Sequence, residues 1–298
     1  MTPQKDGGVD GSAADMSLPP LPPSEGNGLW GQSYDAEWSS VAIDSNSGAV
    51  YVGGSFSRAD FGDGMVTAVG LTDVVLLKFD RSGKREWARV FGRPYWDAIG
   101  AVAVAPDGSV AIAGSTLSDS GTTSHDAFVA RYAADGKQLF YRVYASPKID
   151  TGIGIAVAAD GSIFFGGGTE GDISFGGGSL GLPKERDNYL AHIKTDGTHL
   201  FSKRFPGYSY GQVASVAIAT DGDVLIAGNA TGDTDFGDKP TEPPGGESYA
   251  YLARYAPTGE FRWVKRLGPC SARCSSAASS VRALPGNEVL YGGYFGGP

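Results

Sequence analysis

Apolar residues along this chain fall into short runs with a period of two, each broken by a glycine-bearing turn. An Asp-Gly pair anchors the pattern at Asp107-Gly108, Asp160-Gly161 and Asp221-Gly222, loosening to Asn46-Ser47-Gly48 in the first copy and Gly286-Asn287 in the last. Two residues past the turn stands Val50, Val110, Ile163, Val224 or Val289. Two further on come Val52, Ile112, Phe165, Ile226 or Tyr291, and then a glycine in every copy: Gly54, Gly114, Gly167, Gly228 and Gly293. The intervening Tyr51, Ala111, Phe164, Leu225 and Leu290 are apolar too. A short strand that is apolar on both faces is buried on both faces. A second β-rich run precedes each turn (Val41–Ile43, Val102–Val104, Ile155–Val157, Val216–Ile218), so each pair of runs predicts a hairpin.

A second hairpin follows each of the first four. Its opening strands are Val74–Phe79, Ala127–Tyr132, Asn188–Ile193 and Ala250–Tyr255, and its turns end in Gly83, Gly136, Gly197 and Gly259. Four residues later comes an aromatic each time, Trp87, Phe140, Phe201 or Trp263, and two beyond it a cation, Arg89, Arg142, Lys203 or Lys265. These cations are expected to keep solvated heads above packed stems. Trp30 begins a similar run and reads as the last strand of an earlier unit.

The unit is therefore four strands in two hairpins, recurring every roughly 50–60 residues. Such units cannot cover their own faces singly and stack around an axis, which predicts an all-β fold: a β-propeller of four-stranded antiparallel blades with about five repeat units visible. No amphipathic helical run interrupts the pattern. A β-solenoid needs shorter, single-coil repeats, and paired sandwiches do not need the same turn and aromatic at fixed offsets. The fifth unit supplies one hairpin before Pro298, so the ring is expected to be incomplete, with an open edge that invites association.

The repeat text, Val102-Ala-Val-Ala-Pro-Asp-Gly108, then Asp60-Phe61-Gly62, then Asp126-Ala-Phe-Val-Ala-Arg-Tyr132, resembles the SBBP-type β-propeller repeat of bacterial secreted proteins and lipoproteins. The resemblance runs from about Trp30 to the end of the chain. It implies a propeller at the cell surface, extracytoplasmic and exported, and is nearly silent on activity.

Residues Met1 to about Gly28 are rich in Gly, Asp, Ser and Pro and read as a disordered tail or tether, leaving residues 29–298 as the propeller domain. No apolar run in the tail is long enough for a signal peptide or a membrane span. A cytosolic protein with a floppy tail is one reading; the resemblance to an exported family implies the other, an export signal upstream of Met1. Lys and Arg number 24 against 33 Asp and Glu, a net charge of −9, which argues against a nucleic-acid partner. The two cysteines, Cys270 and Cys274, cannot make a tetrahedral zinc site alone. A small loop disulfide suits an exported protein; two free surface thiols are the competing reading.

Candidate chemistry is sparse. Gly177-Gly-Ser179-Leu-Gly181 matches a hydrolase pattern but lies in a loop between strands, without the strand-to-helix elbow that the motif needs. Gly166-Gly-Gly168-Thr-Glu-Gly171 opens no helix that would hold a phosphate. His192 stands where other units have Lys78, Arg131 and Arg254, and with His199 it is expected on an exposed outer hairpin, the alternative being a weak metal site shared by the two across that hairpin; His125 precedes Asp126 in a loop. Asp60, Asp63, Asp172, Asp233, Asp235 and Asp238 cluster in the Phe-Gly loops. Of these, Asp60, Asp63, Asp235 and Asp238 are the candidates for Ca²⁺, which prefers many oxygen ligands. The alternative is that they cap turns while Phe packs between blades. Asp73, Asp126 and Asp187 read as structural residues where a loop enters a strand.

With no catalytic constellation in view, the reading is a non-catalytic, exported scaffold that binds a protein or glycan through its loops. The alternatives are a propeller enzyme (hydrolase, lyase or quinone-type oxidoreductase) and a purely structural module of a larger surface protein. An enzyme should bring titratable side chains together near the axis.

Overall fold

In the computed structural model the described residues are 30–117, 124–207, 211–231, 234–238, 248–267 and 276–295. The expected tail and both cysteines lie outside them. Four antiparallel sheets of four strands follow one another. Blade 1 is β1 (Glu37–Ile43), β2 (Val50–Phe56), β5 (Asp73–Phe79) and β6 (Arg85–Phe91), with a small hairpin of β3 (Arg58–Asp60) and β4 (Met65–Thr67) in its middle loop. Blade 2 is β7 (Asp97–Val104), β8 (Val110–Leu117), β9 (His125–Tyr132) and β10 (Gln138–Tyr144). Blade 3 is β11 (Asp150–Val157), β12 (Ile163–Thr169), β13 (Asp187–Ile193) and β14 (His199–Phe205). Blade 4 is β15 (Gln212–Ile218), β16 (Val224–Thr231), β17 (Ser248–Tyr255) and β18 (Phe261–Leu267). A fifth unit contributes β19 (Ser276–Ala283) and β20 (Val289–Phe295). Below, strands are also named A to D by their place in the blade. The architecture is a β-propeller, as the repeat predicts.

The A strands β1, β7, β11, β15 and β19 pack on one another in succession and therefore lie innermost. Each also packs on the B strand of the blade before it. Polar seams join successive A strands: the Val102 amide donates to Ser40 Oγ (3.0 Å), and the Val281 amide to Ser215 Oγ (3.1 Å). Apolar clusters fill the rest. Tyr51, Leu76 and Trp87 of blade 1 meet Ile99, Val102, Ile112, Phe128 and Tyr132 of blade 2 in one of them. Each fully buried side chain of this size stabilises by about 1.5–3 kcal/mol.

The glycine at the fixed offset has a single cause. Every A strand carries a bulge opposite its B strand, between Trp38 and Ser40, Ile99 and Ala101, Gly152 and Gly154, Val213 and Ser215, and Ala278 and Ser280. The bulge pushes an A-strand carbonyl onto the B strand. A Cβ at Gly54, Gly114, Gly167, Gly228 or Gly293 would run into the carbonyl oxygen of Glu37, Ala98, Thr151, Gln212 or Ala277 respectively.

The D-strand aromatics share one setting along the arc. Trp87 lies against Gly136, Phe140 against Gly197 and Phe201 against Gly259, in each case the turn glycine of the following blade. Trp30 lies against Gly83 in the same way and stacks on Phe79 (5.5 Å between centroids). The segment before β1 thus plays the part of a preceding blade's last strand, as its sequence suggests. Trp263 sits in the cluster shared by blade 4 and β19.

Two expectations about polar residues are corrected. His192 is not on an exposed hairpin; it is buried between blades, stacked on Phe164 (3.7 Å, 11°) with Nε2 at 2.9 Å from Ser162 Oγ. Its position is a bridge to the next blade. Lys78 donates to the Ala134 carbonyl (2.9 Å), and the buried Arg131 donates to those of Gly161 (2.9 Å) and Thr195 (3.3 Å). Burial pushes the His192 imidazole down to about 4, because charging it there forfeits hydration. Likewise Arg89 does not end in solvent: its Nε donates to the Gly136 carbonyl of blade 2 (2.6 Å).

Candidate functional site

The A and C strands begin, and the B and D strands end, at one end of the ring. Carboxylates gather there for a local reason. Asp73 accepts the Val69 amide (3.1 Å) and Asp97 the Arg93 amide (2.7 Å), each four residues upstream, so the side chain clasps the loop that leads into its own strand. Asp150 accepts a hydrogen bond from Thr169 Oγ1 (2.6 Å) across to β12. Asp187 pairs with Arg204. Asp97, Asp150 and Asp187 are nearly or wholly buried, and burial raises the carboxyl of each above the ordinary range. Asp150 reaches about 6, with Thr169 and Ser146 pulling the other way. The structural reading of Asp73 and Asp187 fits this geometry, and Asp97 and Asp150 stand at the corresponding start of A strands.

The Phe-Gly loops stand at the same end. Phe175 lies between Tyr144 of blade 2 (4.9 Å) and Tyr189 of blade 3 (4.6 Å); Phe236 lies between Phe205 (5.3 Å) and Tyr251 (4.4 Å). Asp60 accepts the amides of Gly62 (2.7 Å) and Gly64 (3.1 Å), and Asp235 that of Gly237 (2.7 Å). Asp63 pairs with Arg85 (2.6 Å) and Asp238 with Arg266 (2.6 Å), and in both pairs the guanidinium holds the carboxyl below its usual range. The four Ca²⁺ candidates are thus split between blades 1 and 4: Asp60 and Asp235 are tied to their own loops, and Asp63 and Asp238 to arginines of the D strands. Among the described residues no three His, Cys, Asp or Glu side chains group as metal ligands. Ser179 donates to Asp172 (2.6 Å) inside an exposed loop, so its hydroxyl serves a turn.

What the end of blade 1 does bring together is an open concavity of about 280 Å³ whose lining is polar and apolar in similar measure, Ala36 and Phe56 included. Asp35 and Glu37 border it where the chain enters β1; Ser55 closes β2; Ser57 and Arg58 open the β3 hairpin; Thr72 precedes β5. Asp35, Glu37 and Arg58 are exposed, so their heads remain available to a ligand. The far wall is rigid. Ser57 Oγ donates to the Leu71 carbonyl (3.0 Å), Thr72 Oγ1 to that of Asp97 (3.3 Å), and Thr72 bridges to Trp96. Two carboxylates, one guanidinium and several hydroxyls around one hollow are suited to acid–base work on a hydroxyl-bearing molecule. The repeat pattern did not point to these residues, because the polar side chains do not recur: where blade 1 has Glu37, the other units have Ala98, Thr151, Gln212 and Ala277.

No protein-family model matches the chain. The regulatory protein FlaEY of Caulobacter vibrioides is 30% identical over 179 residues, which cover 54% of this chain and 18% of that protein. The chain therefore spans less than a fifth of that relative's length. Among solved structures, a gluconolactonase from Xanthomonas campestris is similar over 88% of this chain and 71% of its own, at 15% identity and a TM-score of 0.44. A glucose dehydrogenase aligns over 88% and 95%, at 12% identity and 0.39, and a protein of unknown function from Bacteroides caccae over 73% and 60%, at 13% and 0.43. These findings correct the expectation of a non-catalytic scaffold. Proteins named as enzymes stand among the structural neighbours, so repetition of a blade does not exclude catalysis. The repeat registers only what holds the blades together, whereas a reaction needs a few loop side chains that the repeat never encodes. Among the described residues no helix is long and apolar enough to cross a membrane.

Proposed function

We propose that the chain belongs to a propeller enzyme that performs acid–base chemistry, hydrolysis in the first instance, on a small hydroxyl-rich substrate held in the blade 1 concavity. The observation that carries this reading is the convergence of Asp35, Glu37 and Arg58 with Ser55, Ser57 and Thr72 around that one hollow. The carboxylates take and return a proton, Arg58 holds the oxygen on which negative charge develops, and the hydroxyls orient the substrate. The test is turnover of a panel of sugar lactones, glycosides and aldoses by the full chain. Glu37→Gln and Asp35→Asn should each lower kcat/KM at least ~100-fold, the usual scale for a positioned acid or base. No turnover of any substrate, or turnover untouched by both changes, defeats the reading.

We also propose, on the repeat pattern, that the chain is of the SBBP type and works outside the cytoplasm, with Cys270 and Cys274 joined. Mass analysis of material from the cell envelope, alkylated before and after reduction, should show two thiols only after reduction. Two reactive thiols without reduction would contradict the pairing.

A further inference from the structure

The Phe-Gly loops of blades 1 and 4 read Asp60-Phe61-Gly62-Asp63 and Asp235-Phe236-Gly237-Asp238, whereas that of blade 3 reads Ser174-Phe175-Gly176-Gly177. Both carboxylates are absent from the third loop. Where they are present, the second of them neutralises an arginine on the D strand of its own blade, Asp63 on Arg85 and Asp238 on Arg266. The position of Arg85, two residues past the turn glycine Gly83, is taken in blade 3 by His199, two past Gly197. The imidazole lies against Gly177, where a Cβ would collide with it. An aspartate at 177 and His199 therefore exclude one another. The loop has exchanged an internal ion pair for a histidine beside bare backbone.

A second cation stands on the facing wall. Arg89 of blade 1 is held by the Gly136 carbonyl of blade 2 (2.6 Å). Arg142 lies over Gly197 of blade 3 in the same way, yet it is exposed, and among the described residues its guanidinium has no hydrogen-bond acceptor and no carboxylate partner. Arg142 and His199 line one cavity of about 570 Å³ between blades 2 and 3, with Tyr144, Ser174 and Thr198. Tyr144 is 7% exposed and its hydroxyl has no hydrogen-bond partner. His199 Nε2 is 3.0 Å from Ser202 Oγ; with Ser202 donating, the other ring nitrogen carries the proton. The carboxylates of the adjoining loop and turn are engaged elsewhere. Asp172 accepts from Ser179 (2.6 Å) and the Gly181 amide (2.9 Å), and Asp196 accepts the Thr198 amide (2.8 Å).

We propose that this interblade cavity binds the carboxylate of a small organic acid of about the size of a sugar acid. Arg142 is the charged donor, and His199 and Ser174 add hydrogen bonds. The ligand brings the anion that Asp63 and Asp238 supply within their own loops, and a charge-assisted bond to a guanidinium is the strongest this lining can offer. The volume lies within the range of small-ligand sites. The cavity shares no residue with the blade 1 concavity and does not depend on the chemistry proposed there.

The test is calorimetric titration of the full chain with galacturonate, its methyl ester and galactose. Galacturonate should saturate with a Kd of about 1 mM, the level that ordinary ligand efficiency gives a molecule of about 13 heavy atoms. The ester and galactose, lacking the charge, should bind at least ~10-fold more weakly. Arg142→Gln, a change at an exposed side chain, should weaken galacturonate at least ~10-fold with the melting temperature unmoved. Gly177→Asp combined with His199→Arg rebuilds in blade 3 the pair that Asp63 and Arg85 make in blade 1, and should abolish binding. The proposal is overturned by the absence of saturable binding, by an ester that binds as tightly as the acid, or by either variant binding as tightly as the parent. Displacement of galacturonate by an equal concentration of inorganic phosphate would also overturn it, by making the cavity a site for oxyanions at large.

Discussion

Gly167 and Gly292 are both strand glycines, yet a methyl group has opposite consequences at the two. At Gly167 it meets the bulged Thr151 carbonyl; at Gly292 nothing lies within reach. Gly167→Ala should lower the unfolding free energy by at least ~2 kcal/mol, since backbone on both sides must move, while Gly292→Ala should stay within ~0.5 kcal/mol. Urea midpoints at constant slope would decide it. Two buried titratable groups give opposite pH signatures. The His192 pKa falls on folding from 6.5 to about 4, so its contribution is complete above 6.5 and is lost as pH drops towards 4. Asp150 rises from 3.8 to about 6, so its contribution is complete below 3.8 and is lost as pH climbs through 6. Asp150→Asn should therefore gain stability relative to the parent at pH 8 and lose that advantage at pH 4. His192→Gln should flatten the acid limb between pH 6.5 and 4. Thermal melts across this range check both, and parallel pH profiles for parent and variants would refute the assignments.

At the level of the strand and the loop, much was readable in advance. The period-two apolar runs and the turn glycines located the hairpins, because a strand buried on both faces leaves so few alternatives. The bulge is not legible there, although it leaves a trace, a glycine at one offset in every copy. A glycine can mean a turn, a kink or a near neighbour, and only the paired strand tells which. The sequence suggests solvent for His192 because its counterparts are cations; the interblade carbonyls that receive Lys78 and Arg131 are invisible in it. The blade 1 concavity is not legible in the sequence because its charged side chains do not recur: Glu37 stands where other units have Ala98, Thr151, Gln212 and Ala277. Trp30 offers a test at this scale. Trp30→Ala removes its stacking on Phe79 and its cover over Gly83, so amides of β5 and β6 should exchange faster while those of blade 4 do not change. Uniform acceleration across all blades would mean that segment 30–36 is not a local cover.

The molecule as a whole is a row of similar blades, each in contact with its neighbours. The interfaces between blades 1 and 2 and between blades 2 and 3 repeat the same parts: a D-strand aromatic on a turn glycine, a C-strand cation on a main-chain oxygen, and an A-strand valine or isoleucine on the sheet before it. Stability in such an array is close to a sum of unit and nearest-neighbour terms. A lesion at one interface, Val102→Asp for example, should loosen blades 1 and 2 and leave blade 4 protected against exchange. Loss of protection everywhere at once would show that the blades melt as one body.

The aromatic-on-glycine contact has a mechanical corollary. A chain held at its two termini and stretched would feel the load first at the outermost seam, where Trp30 lies on Gly83, and would pass it inward one seam at a time. The extension trace should be a sawtooth whose teeth are spaced by the contour length of one blade, rather than a single rupture.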